Sequence, residues 1–175
     1  MKLFVIILIL SWLCCSRAPL TNAADADILW SRAVEMAKQG QMDMAFLNFR
    51  MLADTYPDVP QNPAAQFNVG EYYFLQNNFP LAVKEFKSLF IQHSKQKESL
   101  MALVYLYKMA QSIGDENSMK SYQKKIISLH QNTFIFQDHK SFEYISGLQH
   151  KYKFVFTING IEVLMDGHLF TRVPS

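Results

Sequence analysis

The chain has almost no cysteine, and none beyond position 15: Cys14 and Cys15 are the two among its 175 residues. A fold made from the rest of the chain has no disulfide, no thiol nucleophile and no cysteine metal ligand. Glycine and proline are scarce at six each, which excludes collagen-like and low-complexity structure. An excess of one charge is also missing. Lys2 and Arg17 lie within the first 23 residues, so the other 152 carry 15 Lys+Arg against 15 Asp+Glu. No Lys/Arg-rich stretch with interleaved aromatics remains, and so no sequence ground for binding nucleic acid.

Recognisable catalytic motifs are absent too. His93, His130, His139, His150 and His168 include no HExxH and no pair at i,i+4. A histidine cluster assembled in three dimensions stays open beside solvated or capping roles. Ser112, Ser118 and Ser121 lack a G-x-S-x-G elbow, and no glycine-rich phosphate loop occurs. Glu35, Asp43, Glu71 and Glu85 read as helix-surface charges, with an acid–base pair among them as the alternative. Eight methionines follow Met1, and Met42 and Met44 are the close pair, which favours core filling over a soft-metal site. The expectation is a chain that is not an enzyme and needs no cofactor or metal.

What is present begins at the N-terminus. Met1-Lys2 is followed by an uncharged run from Leu3 to Cys15, then by Thr21-Asn22-Ala23 with small residues at both cleavage positions. This pattern predicts a secretory signal peptide over residues 1–23. The run is shorter than the roughly 20 residues that span a bilayer, so an uncleaved anchor is the lesser alternative. Bulky Trp12 and Leu13 precede the cysteines where a lipobox has small residues. Soluble export is therefore expected, with membrane association only if Cys14 or Cys15 is lipidated.

Three blocks then recur at a spacing of 37 residues. Gly40, Asn77 and Gly114 share one phase, as do Ala45, Ala82 and Met119, and Leu52, Leu89 and Ile126. A fixed period in this range marks stacked supersecondary units, each unable to bury its apolar face alone. In the second block Val69, Tyr73 and Gln76, then Phe79, Ala82, Phe86 and Leu89, follow helical spacing. Gly70 and Ala82 are small where two helices would approach. Asn77-Asn78 and Pro80 stop one helix and start the next.

The second block, PAAQFNVGEYYFLQNNFPLAVKEF from Pro63, resembles the tetratricopeptide repeat, a helix–turn–helix unit. Phe67-Asn68-Val69-Gly70, Tyr73, Ala82, Phe86 and Leu89 carry the likeness. Trp30, Ala33, Met36, Gly40, Ala45, Phe49, Leu52 and Pro57 repeat it in the first block. The third is degenerate, with Tyr107, Met119 and Gln123 at off-pattern positions. The resemblance implies an all-α stack of helix pairs over residues 24–130, and a protein or peptide partner held in a concave groove. By position, the groove would be lined by Trp30, Val34, Ala37, Lys38, Phe67, Glu71, Phe74, Leu75, Val104, Lys108 and Gln111. Trp30 and Phe67 fit a helix-packing core equally well. Among exported repeat proteins, the chain is similar to the Tol–Pal-associated periplasmic protein and the outer-membrane-assembly lipoprotein families. That likeness implies a periplasmic adaptor, with an envelope enzyme's accessory domain or a lipid-anchored assembly component as alternatives.

Residues 131–175 change character. Asp138 to Lys151 reads as one more helix, with Phe142, Ile145 and Leu148 partly in phase. The tail then alternates around Asn159-Gly160 and Asp166-Gly167, the sequence signature of tight hairpins. A three-stranded antiparallel meander is expected, with Phe154, Phe156, Ile158, Ile161, Val163 and Met165 on one face. The fold class is thus mainly α with a small C-terminal β meander.

Overall fold

A computed structural model describes residues 20–132 and 141–175. The signal segment through Pro19, with Cys14 and Cys15, and Asp138–Lys140 of the expected last helix lie outside the described residues. Among the described residues six helices run in order: α1 (Leu20–Lys38), α2 (Met42–Thr55), α3 (Asn62–Leu75), α4 (Phe79–Gln92), α5 (Lys97–Ile113) and α6 (Glu116–Asn132). Each packs on the next, α3 also meets α5, and a four-stranded antiparallel sheet follows. The mainly α class with a small β unit is the observed one.

The 37-residue phase has a direct backbone meaning. Gly40, Asn77 and Gly114 end the first helix of each pair at φ 75°, 58° and 70°. That left-handed conformation reverses the chain after one residue, which glycine and asparagine tolerate best. Asn78 then caps α4 by accepting from the Leu81 amide, and Pro80 occupies the first turn, where its missing N–H costs nothing. Ala45 and Ala82 are fully buried at the same phase. A Cβ on Gly70 would stand 2.6 Å from the Phe86 ring, so glycine there lets α3 lie flat on α4. The third pair, off-pattern in sequence, forms with the same turn.

The strands are β1 (Ser141–Ile145), β2 (Lys151–Thr157), β3 (Gly160–Met165) and β4 (His168–Pro174), in that spatial order. The expected helix over Asp138–Lys151 is therefore wrong in its described part. Phe142 and Tyr144 alternate in register with Phe154 and Tyr152, which is strand spacing. Gln149 takes φ 74°, and Gly147 presses against Asn68, where a Cβ would stand 2.7 Å from the amide nitrogen. A helix would place side chains into that contact. The meander thus has four strands.

The first hairpin turns at Ile158-Asn159, one residue earlier than Asn159-Gly160, because Thr157 pairs with Gly160. Ile158 accordingly stands in the turn, 94% exposed, while Phe154, Ile161 and Val163 remain inward. The second turn falls on Asp166-Gly167 with both φ positive, as expected. A bulge opposite Val163 and Leu164 shifts the phase of β4, so Thr171 turns inward, pairing with Val163, next to half-buried Phe170.

The sheet is not an appendage. Tyr144, Tyr152, Phe154, Ile161, Val163 and Val173 join Phe67, Phe86 and the inner face of α5 in one core. Leu148, from the β1–β2 loop, is buried in a second core with Ala26, Ala33, Phe49 and Val69. Burying each such Leu or Phe is worth about 1.5–3 kcal/mol.

Candidate functional site

The helix face assigned to a partner by resemblance is largely covered by the chain's own sheet. Phe67 is fully buried, its ring edge-on to Tyr105, Tyr144 and Tyr152 at centroid distances of 5.9, 5.7 and 6.2 Å. Trp30 is half-buried against Phe49 at 5.3 Å. Both take the helix-packing role that their sequence positions left open.

Glu71 is not a surface charge but a fully buried carboxyl. One helical turn N-terminal to it and one repeat further on, the chain carries the other polar groups of this interface. Asn68 Oδ1 accepts the Leu148 amide at 3.1 Å. Tyr105, in phase with Asn68, places its hydroxyl 2.5 Å from that of Tyr152. Tyr152 in turn donates to Glu71 Oε1. The second oxygen, Oε2, is buried without a partner at hydrogen-bond geometry. Burial pushes the Glu71 carboxyl up to about 7, opposed by the Tyr152 hydrogen bond, by His150 and, weakly, by the nearby Ser146 hydroxyl. Burial likewise holds Tyr105, Tyr144 and Tyr152 well above the usual tyrosine range. Glu98, also buried, is raised by desolvation while facing Lys97 and Tyr144. Glu85 is nearly buried as well, held by Arg50 at 2.7 Å.

The remaining candidates meet at the mouth of this interface. Phe74 touches Tyr105 at 4.8 Å, Phe79 at 5.5 Å and Phe170 at 5.9 Å. Lys108 Nζ lies 5.9 Å from the Phe170 ring, and the Thr171 hydroxyl is 3.3 Å from Gln111 Oε1. The result is a seam where the α3–α4 turn meets β4. Leu75 and Phe79 stand exposed along it, while Leu169, paired with Leu164, is exposed on the outer face of the sheet. Lys38, at the α1 end, is exposed and lies apart from the α3–α4 turn that forms the seam. Phe79 was missed as a site residue by sequence reasoning. It falls at an apolar helical phase, which reads as core, and the β4 bulge at Phe170 leaves no trace in alternation.

Several hollows open elsewhere. One of about 320 Å³ lies on the sheet between Tyr144, Tyr152 and Leu164, and three others lie among the helices. Glu71 and Tyr105 line none of them. Among the described residues no three His, Cys, Asp or Glu side chains gather as a metal site, and no helix is long and apolar enough to cross a membrane. No protein-family model matches the chain, and no curated protein matches it either.

Proposed function

We propose that the chain is an exported, non-catalytic adaptor of tetratricopeptide type that holds a protein partner in the cell envelope. The observation that carries this reading is the seam. Exposed Leu75 and Phe79 flank half-buried Phe74 and Phe170, with Lys108 and Gln111 beside them. Aromatic anchors next to a cation are the composition of interface hot spots, where truncation costs about 2 kcal/mol or more. The sheet that fills the helix face adds its own residues to this surface. Export to the periplasm rests on the N-terminal sequence pattern alone.

A photo-crosslinking side chain placed at Phe79 or Leu75 should capture a defined partner from the native envelope. The pair Phe79→Asp and Leu75→Asp should abolish that capture with an unchanged melting curve. Capture from a probe at Ile158 but not from the seam would overturn the reading. A second reading, an accessory domain of an envelope enzyme, is favoured by the buried Glu71–Tyr152–Tyr105 cluster. Solvent exchange at Glu71 in the native state would be required for it. Palmitate labelling at Cys14 or Cys15 would identify a lipid-anchored component.

A further inference from the structure

The helix pairs form two equivalent furrows, neither lined by a sheet residue, and the two have opposite chemistry. The first, about 290 Å³, lies among α2, α3 and α4. Arg50 sits in it between two carboxylates, 2.7 Å from Asp54 and 2.7 Å from Glu85. Gln66 supplies a further polar wall. This furrow neutralises itself.

The second, about 260 Å³, lies among α4, α5 and α6, one 37-residue step along. Lys87 takes the place of Arg50, but Ile91 stands where Asp54 does, and Tyr122 where Glu85 does. Both carboxylates are gone. Gln66 and Val69 become Leu103 and Leu106, so the floor is apolar, while Ser88 becomes a second cation, Lys125. Lys125 Nζ rests 5.0 Å from the Phe90 ring and 5.9 Å from Tyr122. An adjoining hollow of about 350 Å³ shares Phe90 and Lys125 and adds Lys95 and Lys124. No carboxylate lines either hollow. Asp115 lies within electrostatic reach of Lys87, yet its Oδ1 already accepts the Ser118 amide at 3.1 Å, and it is outside the lining. Ile91 is left 76% exposed.

We propose that the α4–α5–α6 furrow is a docking site for an acidic amphipathic peptide segment of a partner protein. Its apolar side chains cover Phe90, Ile91 and Leu106, and its carboxylates meet Lys87 and Lys125. Charge complementarity selects this occupant: two lysines flank an apolar floor that no carboxylate lines, and Asp115, within reach of Lys87, lies outside it, so carboxylates over the floor come from outside the chain. A lipid acyl chain fits less well, because an open furrow does not enclose the 70–90% or so of a ligand that small-molecule sites bury. A bilayer is flat, whereas these lysines surround a recess.

The test uses a fluorescein-labelled peptide of about four helical turns with Leu on one face and Glu on the other, and its Leu/Lys counterpart. The acidic peptide should bind saturably and the basic one should not. Lys87→Glu with Lys125→Glu should weaken binding about tenfold or more, and so should raised salt. Ile91→Asp with Tyr122→Glu, which restores the two carboxylates of the first furrow, should do the same. If a double variant melts early, Ile91→Asp alone, at an exposed position, carries the test. Phe79→Asp with Leu75→Asp should leave this binding intact, which separates the furrow from the seam. Equal binding by all variants, or by the Leu/Lys peptide, would overturn the proposal. So would binding of phosphatidylglycerol vesicles, or self-association, that the lysine variant loses while the acidic peptide fails to bind.

Discussion

Tyr152 of the sheet donates a hydroxyl hydrogen bond to Glu71 of α3, 81 residues earlier, and both side chains are buried. A carboxyl buried this way is cheap when protonated and costly when ionised, since a single tyrosine hydroxyl replaces its hydration. Tyr105 and Tyr144 face it from α5 and β1, and His150 and Asp166 act on it from the two hairpin loops.

The docking of sheet on helices should therefore weaken as pH rises. The folded state holds the Glu71 proton up to about 7, against 4.5 for a free carboxyl, so it binds that proton more tightly than the unfolded chain. The stabilisation is fully present below 4.5 and is lost as pH rises through about 7. The difference corresponds to ~3 kcal/mol between the two limits. Urea unfolding at pH 5 and pH 8 measures it. Glu71→Gln should flatten this part of the profile, and the difference between the two proteins isolates the carboxyl. Parallel profiles would show that Glu71 is solvated.

The three left-handed turn positions give a graded prediction. Gly40 and Gly114 have open space around a built Cβ, so Gly→Ala there tests backbone strain alone. Each should lower stability by about 1 kcal/mol. Asn77 already pays part of that cost at φ 58°, so Asn77→Gly should be neutral or slightly stabilising. Thermal melts of the three variants check the order, and a stabilised Gly114→Ala would contradict the shared turn.

Packing between paired helices should be intolerant of added volume at the same phase. Ala82 is fully buried, and Gly70 meets the Phe86 ring. Ala82→Trp should cost roughly 1–3 kcal/mol or more by overpacking. Gly70→Ala should also destabilise, because the steric cost exceeds the gain of about 1 kcal/mol in helix propensity. An unchanged melt for Ala82→Trp would mean that the helix-pair register is misplaced.

The helical part was legible because its signals are local. Left-handed residues, small contact residues and the apolar stripe all recur at one period, and each holds in the folded chain. The sheet was legible where tight turns announce themselves, at Asp166-Gly167. It was misread at Ser141–Ile145, where two aromatics and an isoleucine satisfy a helical phase and a strand alternation equally. Glu71 was misread because nothing near it in sequence reveals Tyr152. The hint that existed was Asn68 and Tyr105, two polar residues in one buried phase, each waiting for a partner from the tail. The same long-range contact makes any substitution of Glu71, a helix-surface charge on sequence grounds, a change at the centre of the core.

Leu148 gives the sharpest test of how firmly the sheet is pegged to the helices. It sits in a loop, 1% exposed, inside the core of α1, α2 and α3, with its amide bonded to Asn68 Oδ1 at 3.1 Å. A loop rarely buries a large apolar residue so far from its own strand neighbours. Leu148→Ala should cost about 2–5 kcal/mol, through lost burial and the cavity left behind. The loss should be local before it is global, because the second peg, Tyr152 on Glu71, is a separate contact. Amide exchange should accelerate first in the loop between β1 and β2 and in β1, with α4 and α5 protected longer. Ile158→Ala, at an exposed hairpin tip, supplies the control and should leave both the melt and the exchange pattern unchanged. Uniform acceleration across all elements would show that sheet and helices open as a single unit, without a separable peg at Leu148.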